Sequence, residues 1–361
     1  MVRFAVMASS VSAKSCAAAG QTGWQAALAA AVRDPVELCR ILRLDRSLAV
    51  AAEQAAAGFP LLVPRPLLAR IRPGDPHDPL LVQVLPCRRE QARAPGFHTD
   101  PLGEADAVWG PGLLRKYPGR SLIVTTGACA VHCRFCFRRH FPYSKRDDPI
   151  LFAQKSGESL NSCPVAAKWK PLLERIAAEE SIREVILSGG DPLMLPDSQL
   201  GRLAQKLSQI PHVSRIRLHT RMPIVIPQRV TDELLGWLCG TRLSPIVVVH
   251  VNHPAEIDAA VAAALGRLVE AGIPVLSQTV LLRGVNDRLD VLAGLYQRLA
   301  DLRVMPYYLH QLDRVAGAAH FEVAESTGVE LIRRLRARLP GYAVPRYVRQ
   351  TPTGSSKEFL A

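Results

Sequence analysis

Three cysteines lie close together at Cys129, Cys133 and Cys136, in the spacing C-x3-C-x2-C. They follow an apolar, β-branched run at 122–126 and Gly127, whose conformational freedom allows the chain to turn. Soft thiolates select zinc, cuprous copper or iron–sulfur clusters. A cubane cluster usually takes four cysteines, whereas this motif supplies three, so one iron could stay open for a non-protein ligand. The spacing therefore predicts a metal centre in a loop that follows a strand.

A zinc site is the plainer interpretation of three nearby cysteines, with His132 or His140 as the fourth ligand. Zinc sites more often combine two paired arms, and the sequence has no second arm. A zinc-dependent nucleic-acid-binding protein is the alternative from a different class, because a net charge of +13 suits a polyanion. However, no run of five or six like charges occurs, and an arginine-rich surface explains the charge. No nucleic-acid partner is therefore expected.

The composition is that of a large globular chain. It has 361 residues, of which 48% are hydrophobic, and this fits one large α/β domain with a smaller region. The sequence has no run of about 18 apolar residues, so no membrane-spanning helix is predicted. Eight cysteines in so long a chain do not form a disulfide framework. Five of them are expected to be isolated thiols: Cys16, Cys39, Cys87, Cys163 and Cys239. A cytoplasmic location is expected, since an oxygen-sensitive cluster needs a reducing compartment.

From about residue 111, apolar runs alternate with stretches of helical period. The predicted strands are 121–126, 183–188, 213–219, 245–250, 273–280, 303–309 and 342–348. The predicted helices lie near 165–180, 197–209, 231–239, 255–271, 288–300 and 325–338. This alternation predicts right-handed βαβ units and a parallel sheet. Six or seven units are fewer than the eight of a closed barrel. We therefore predict an α/β fold, an open (β/α)6-type barrel with chemistry at the carboxyl ends of its strands.

The predicted organisation has four parts. Residues 1–20 are a loose leader without the apolar stretch of a signal peptide, and residues 21–110 are a helical lead-in in which no chemistry is expected. Residues 111–341 form the barrel core, and residues 342–361 form a C-terminal strand and loop. A polar insertion at 153–164 is expected to be a surface loop. The helices of the lead-in are predicted at 22–33, 36–44 and 48–57.

The second predicted strand ends in a glycine-rich segment. It consists of Ser188, Gly189, Gly190 and Asp191, followed by a proline. The two glycines would let a ligand approach the backbone, and Asp191 could accept a hydrogen bond from a ligand ammonium. An ordinary turn with a helix-capping aspartate is the plainer alternative.

Four basic residues could bind anions or carbonyl groups. Lys116 and Arg120 lie four residues apart before the first strand and could clamp a phosphate. Arg138 follows the third cysteine, and its guanidinium fork matches a carboxylate. Lys357 lies in a loop of small residues near the end of the sequence, where an aldehyde cofactor could form a Schiff base. Taken singly, each has the plainer explanation of a solvated surface charge.

The segment 129–143 resembles the lysine 2,3-aminomutase family of radical S-adenosylmethionine (SAM) enzymes. Within the family it is most similar to the branch that serves (R)-β-lysylation of elongation factor P. The likeness extends over roughly residues 22–357. Further matching segments lie at 111–114, 188–193, 223–227, 251–253, 281–287, 305–310 and 317–321.

The resemblance implies three cofactors: a [4Fe–4S] cluster, SAM and pyridoxal 5′-phosphate (PLP). The three cysteines of the motif would bind the cluster. Its open iron and the segment 188–191 would bind SAM, with Gln278 nearby. Lys357 would hold PLP, and the PLP phosphate would face Lys116 and Arg120. Lys116 stands where the family has an arginine.

The resemblance also implies an isomerase that converts L-lysine to (R)-β-lysine. A 5′-deoxyadenosyl radical would take hydrogen from C3, and the amino group would move from C2 to C3. Arg138 would bind the substrate carboxylate and Asp313 the ε-ammonium. The implied partners are an external electron donor, elongation factor P and its lysyl-tRNA-synthetase-like ligase. The alternative within the family is a mutase of free lysine for metabolite synthesis. Glutamate is disfavoured, because Asp313 would repel its side chain.

Two departures from the free-lysine mutases concern substrate binding and length, and the short length, together with the segment 137–143, favours the elongation factor branch. Gln350 stands seven residues before Lys357, where clostridial-type mutases carry an aspartate. A neutral amide lacks the charge that attracts the ε-ammonium of lysine to an aspartate. Weaker binding of free lysine than in those mutases is therefore predicted. The sequence also ends four residues after Lys357, without the long C-terminal segment of the free-lysine mutases. Their oligomeric state therefore does not carry over to this chain.

Overall fold

A computed structural model of the chain describes residues 23–143 and 165–361. The predicted leader and polar insertion, with Cys16 and Cys163, lie outside these residues. Seven parallel strands in sequential order form the centre of a ten-stranded sheet. They are β3 (Arg120–Thr126), β4 (Glu184–Gly189), β5 (Arg215–Thr220), β6 (Ser244–His250), β7 (Val275–Val280), β8 (Met305–His310) and β9 (Arg346–Arg349). The predicted α/β fold with an open parallel sheet is confirmed.

Antiparallel strands extend the sheet at both ends. The pair β1 (Val108–Gly110) and β2 (Leu113–Leu114) adds to β3, and β10 (Glu358–Phe359) adds to β9. The sequence did not predict these strands, because two or three residues are too short to show alternation. The last parallel strand was predicted at 342–348, but residues Gly341–Ala343 form a 3₁₀ turn instead.

Five α-helices precede the sheet between residue 23, where the described part of the chain begins, and β1. They are α1 (Gly23–Ala29), α2 (Pro35–Ile41), α3 (Arg46–Ala56), α4 (Arg65–Leu68) and α5 (Pro79–Val82). The first three correspond to the helices predicted in the lead-in. At the start of α2, the Asp34 carboxylate accepts hydrogen bonds from the backbone N–H groups of Val36 and Glu37. This is an N-terminal cap, and Pro35 occupies the first helical position as predicted.

The strands of the parallel sheet are connected by helices that pack their apolar faces on it. These are α6 (Val165–Ala177), α7 (Asp197–Ser208), α8 (Met222–Val225), α9 (Asp232–Cys239), α10 (Ala259–Glu270), α11 (Leu289–Asp301) and α12 (Glu325–Arg336). In α7, for example, Leu200, Leu203 and Leu207 are buried and lie three or four residues apart, so they share one face. Every helix in the described part of the chain is too short or too polar to cross a lipid bilayer.

The lead-in packs directly on the sheet. One hydrophobic cluster contains Trp24 and Leu38 from the lead-in together with Ile123 and Val185 from the strands. Burial of large apolar side chains is the main favourable contribution to such packing. The lead-in is thereby held against the loop that carries the three cysteines.

Candidate active site

A cavity of about 470 Å³ runs along the inner face of the sheet. Its wall extends from the loops at the carboxyl ends of the strands to Arg120, the first residue of β3, and to the loop before β10. All thirteen predicted site residues line it: Lys116, Arg120, Cys129, Cys133, Cys136, Arg138, Ser188, Gly189, Gly190, Asp191, Gln278, Asp313 and Lys357. The fold thus brings together groups that are far apart in the sequence, while the role of each stays a prediction.

The three thiols of the motif share one end of this cavity. Burial raises the pKa of Cys136 to about 11. Burial, with the neighbouring Cys136 and Asp191, raises the pKa of Cys129 well above its ordinary value. Neutral thiols are therefore favoured in the absence of a cation, and a bound metal reverses this by coordinating the thiolate. Three close thiols at a cavity wall fit a soft metal centre with one position facing the cavity.

The two histidines proposed as zinc ligands are engaged elsewhere. The Nδ1 atom of His132 lies 2.9 Å from the carbonyl oxygen of Pro60, and its ring stacks on Phe59. The Nε2 atom of His140 lies 3.0 Å from the carbonyl oxygen of Ala316. Within residues 23–143 and 165–361, no three His, Cys, Asp or Glu side chains converge on one ion position. With both rings within hydrogen-bond distance of backbone carbonyl oxygens, neither histidine is positioned by the fold as a fourth zinc ligand.

Two buried arginines fix the cysteine loop to the lead-in through Glu90. The Nε and Nη2 atoms of Arg134 donate to the two carboxylate oxygens of Glu90 at 2.9 and 2.5 Å. Arg139 Nη2 donates to the same carboxylate at 2.7 Å. Side-chain exposure is 0% for Arg134, 5% for Arg139 and 3% for Glu90. The plainer interpretation of the basic residues after the third cysteine, a solvated turn, does not describe Arg139, because its guanidinium is paired with a residue about fifty positions away.

Replacing Glu90 with glutamine is expected to lower the free energy of unfolding by about 3–5 kcal/mol, since two buried guanidinium groups lose their counter-charge. Urea unfolding of the cluster-free protein measures this loss. Glu330→Gln is the matched control, because Glu330 pairs with Arg333 at the surface and exposed pairs contribute little. Equal denaturation midpoints for the two variants would contradict the assignment.

A third buried arginine contacts a cysteine of the motif. Arg221, which follows β5, donates from Nη1 to Cys133 Sγ at 2.7 Å and from Nη2 to Gln83 and Glu256 at 2.7 and 2.9 Å. Burial opposes the charge of Arg221, but the Cys133 sulfur and the Glu256 carboxylate hold its pKa above the ordinary value. Hydrogen bonds to sulfur are among the features that set the potential of an iron–sulfur cluster. Sequence reasoning missed Arg221, because no local pattern marks it.

The guanidinium of Arg138 binds a carboxylate of the chain itself. Its Nε and Nη2 atoms donate to the two oxygens of Glu104 at 2.8 and 2.6 Å. Its Nη1 atom donates to Ser188 Oγ at 3.0 Å and to the carbonyl oxygen of Gly189 at 3.1 Å. Glu104, like Glu90, lies in the lead-in, where no chemistry was expected. A substrate carboxylate at Arg138 would have to share this fork with Glu104 or displace it.

The glycine-rich segment packs against the cysteine loop. A Cβ atom on Gly189 would lie 2.4 Å from the carbonyl oxygen of Thr126, and one on Gly190 would lie 2.2 Å from that of Ala128. The φ angle of Gly189 is +130°, which L-residues with side chains rarely adopt. The glycines are therefore required by the approach of another loop, whereas the sequence interpretation attributed them to a ligand.

Asp191 has several partners within the chain. Its carboxylate accepts from the backbone N–H groups of Leu193, Arg221 and Met222 and from the hydroxyl of Thr220. Burial is the largest influence on this carboxyl group and raises its pKa to about 6, although these hydrogen bonds act against it. The plainer interpretation, a capping aspartate, describes these contacts. Binding of a ligand ammonium by Asp191 stays a prediction.

Lys357 lies at the other end of the cavity. Its Nζ atom is 5.5 Å from the centre of the Tyr308 ring. Burial lowers its pKa to about 7, and Arg217, Lys116 and Arg120 act in the same direction, whereas Asp313 raises it. A lysine with so low a pKa is partly deprotonated near neutral pH and is then a nucleophile. An amine nucleophile, an aromatic face and several cations together fit a phosphorylated aldehyde such as PLP.

Comparison with known proteins gives close relatives over most of the chain. The chain is 44% identical to an L-lysine 2,3-aminomutase of Escherichia coli K12 over 92% of its length and 93% of that protein. It is 41% identical to the protein of that name from Haemophilus influenzae, covering 94% of this chain and 96% of the relative. It is 38% identical to that of Clostridium subterminale, covering 80% and 66%. No family model matches the chain.

Solved structures give a weaker likeness. Streptococcus suis SuiB bound to S-adenosylmethionine is 11% identical, with a TM-score of 0.45, and the match covers 65% of this chain and 51% of that one. A likeness at this level supports no functional conclusion.

Proposed function

Because the chain belongs to the lysine 2,3-aminomutase family, whose members are isomerases, we propose that it converts L-lysine to β-lysine with a [4Fe–4S] cluster, SAM and PLP. The observation that supports this most directly is the shared cavity. Three half-buried thiols and a lysine of lowered pKa line the same 470 Å³ space, although more than 200 residues separate them in the sequence. An amino migration by this chemistry needs the radical source and the aldehyde cofactor next to one substrate.

When bound, the cluster and SAM supply radical chemistry, and PLP supplies a conjugated system that carries the migrating nitrogen. The tasks of the chain itself are to bind, orient and exclude water. Cys129, Cys133 and Cys136 would hold the iron, with Arg221 donating to the Cys133 sulfur. The buried cavity wall keeps water away from reactive species.

Substrate orientation is assigned to two charged residues at the cavity wall. Asp313 lines the same cavity as Lys357. Burial raises the pKa of Asp313 to about 6, while the charges of Lys357 and Lys116 work to lower it. Its carboxylate is therefore ionised above about pH 6 and can receive the ε-ammonium of lysine. Arg138 would bind the substrate carboxylate, with Glu104 as the group that holds or shares its guanidinium.

The physiological destination that we propose is elongation factor P. Two features of the sequence support it: the resemblance of the segment 137–143 to the elongation factor branch, and Gln350 in place of an aspartate. The lysyl-tRNA-synthetase-like ligase of that factor would be the partner that consumes β-lysine. Deleting the gene and still finding β-lysylated factor by mass spectrometry would refute this destination.

Product analysis tests the proposed activity. The full chain is reconstituted anaerobically with iron and sulfide and supplied with SAM, PLP, a strong reductant and L-lysine. Formation of β-lysine establishes the mutase. A parallel reaction with elongation factor P that already carries lysine identifies the physiological form of the substrate. A good cluster spectrum without product from either substrate would overturn the proposed function.

Gln350→Asp is expected to lower the KM for free lysine about tenfold, because it adds a carboxylate that can pair with the ε-ammonium. Gln350 lines the cavity, and its Nε2 atom donates to the hydroxyl of Tyr117 at 3.2 Å. Steady-state kinetics of the reconstituted enzyme measure the change. Gln350→Asn is the matched control, since asparagine has the shape of aspartate without its charge. Equal KM values for the two variants would show that position 350 does not face the substrate.

A further inference from the structure

Arg217 lies on β5 at the cavity wall and takes no part in the proposed function described above. Its side chain is 9% exposed, and its Nη2 atom donates to Glu184 Oε2 on β4 at 3.1 Å. Its Nε–H is buried and has no hydrogen-bond partner among the described residues. An unused donor on a buried guanidinium is costly. The arrangement therefore indicates an accepting group that occupies the cavity in the functional state.

The strand register places Arg217 on the same face as Arg120. On β4, Glu184 pairs in register with Arg120, and Ile186 pairs in register with Arg217. Residues two apart on a strand point to the same face, so Glu184 and Ile186 share a face. Arg120 and Arg217 consequently face the cavity from two strands, β3 and β5, that flank β4.

Arg217 also acts electrostatically on Lys357, which lines the same cavity. It lowers the pKa of this lysine more than Lys116 or Arg120 does. The phosphate of PLP is esterified to a hydroxymethyl group on the ring carbon next to the one that bears the aldehyde. A cation near the amine that receives the aldehyde is therefore within reach of the phosphate.

The two cations expected at the phosphate are a weaker pair than two arginines. The Lys116 ammonium donates to the carbonyl oxygens of Leu102 and Thr351, at 2.8 Å each. An ammonium has three N–H groups, so one is left for a ligand. The guanidinium of Arg120 lies over the ring of Tyr117, 5.3 Å from its centre. A phosphate dianion at this place requires further donors.

We propose that Arg217 is a third cation that binds the phosphate group of PLP, an inference that rests on the proposed function. Glu184 holds Nη2 of the guanidinium, and Nε and the remaining N–H groups donate to phosphate oxygens. A guanidinium presents these donors in a planar array that matches phosphate geometry.

Pyridoxal, which lacks the phosphate, provides the test. The full reconstituted chain is titrated with PLP and with pyridoxal, and each adduct is fixed by borohydride and counted by intact mass. In Arg217→Gln, the ratio of PLP affinity to pyridoxal affinity is expected to fall about 10- to 100-fold, which is the size of a lost charge-assisted hydrogen bond. The accompanying rise in the pKa of Lys357 affects both aldehydes alike and cancels in this ratio. Arg217→Gln combined with Glu184→Gln gives the same result without an unpaired buried carboxylate.

Glu184→Gln alone is the matched control. It removes the ion pair but keeps the cation, so PLP affinity is expected to stay the same or rise. If Arg217 only pairs with Glu184, the single and double variants lose PLP and pyridoxal equally or not at all, and the inference is overturned. If the wild-type chain captures neither aldehyde, the proposed function fails as well.

Discussion

Replacing Lys357 with alanine is expected to abolish covalent capture of PLP and formation of β-lysine together. Lys357 lines the cavity, and burial brings the pKa of its amine close to neutral. Lys116, which also lines the cavity, is held by the carbonyl oxygens of Leu102 and Thr351. The expected loss in turnover is on the order of 10³-fold or more, as for other groups that form the covalent link. Borohydride reduction followed by peptide mass analysis locates the PLP label.

The matched control for Lys357→Ala is Lys206→Ala. Lys206 is exposed on α7, so its removal should change neither the label nor turnover. Persistence of the label in Lys357→Ala at the wild-type level would contradict the assignment of Lys357. Labelling of the wild-type chain at several lysines in proportion to their exposure would do so as well.

The pH dependence of capture tests the same residue without a mutation. Burial lowers the pKa of Lys357 to about 7, and only the deprotonated amine attacks an aldehyde. Capture is therefore expected to be slow below about pH 7 and to reach a plateau above it. For an exposed lysine, whose pKa is about 10.4, the rate of capture would still be rising at pH 9. Stopped-flow absorbance at several pH values measures the midpoint.

Asp313→Asn is expected to move this midpoint to lower pH. The Asp313 carboxylate raises the pKa of Lys357. Without this charge, burial and the nearby cations lower the pKa of Lys357 further. The neutral amine then predominates from a lower pH. An unchanged or higher midpoint would show that the two groups do not interact.

Replacing Cys133 with alanine is expected to abolish the brown iron–sulfur absorbance and product formation together. A cubane bound by three cysteines loses a ligand, and alanine supplies no donor. Turnover is expected to fall to background, because the radical source is lost with the cluster. Iron analysis after anaerobic reconstitution is expected to give about four iron atoms per wild-type chain and well below this in the variant.

Cys39→Ala and Cys239→Ala are the controls for the loss of a thiol. Cys39 is buried in α2, and Cys239 is exposed at the end of α9. Both variants are expected to keep full iron content. Zinc in the wild-type chain without iron or visible absorbance would restore the zinc interpretation, against the positions of His132 and His140.

Several charged residues of the site are buried and paired with residues distant in the sequence, namely Arg217, Arg221 and Glu104. Each is a buried charge whose partner lies on a different element: Glu184 on β4 for Arg217, Glu256 in the turn after β6 for Arg221, and Arg138 in the cysteine loop for Glu104. The lead-in therefore contributes directly to the site, since Glu104 holds Arg138 and Gln83 accepts from Arg221. A buried pair orients its members firmly but is costly to break.

The sequence by itself determined the sheet and the motif residues of the site. Strands β3 to β9 follow from apolar runs that alternate with helical periods, a local signal that each strand carries within itself. Because parallel strands share one carboxyl edge, Cys129 and Ser188 were expected to meet there, and the family resemblance implied Gln278 nearby; all three line one cavity.

Only the tertiary structure decided which buried charges face each other. Glu90 and Arg134 are 44 residues apart, and Arg221 and Gln83 are 138 residues apart. No periodicity or spacing marks such pairs, because ion pairing depends on the distance between side chains in the fold and not on position along the chain. For the same reason the glycines at 189 and 190 were attributed to a ligand, whereas the neighbouring loop is what requires them.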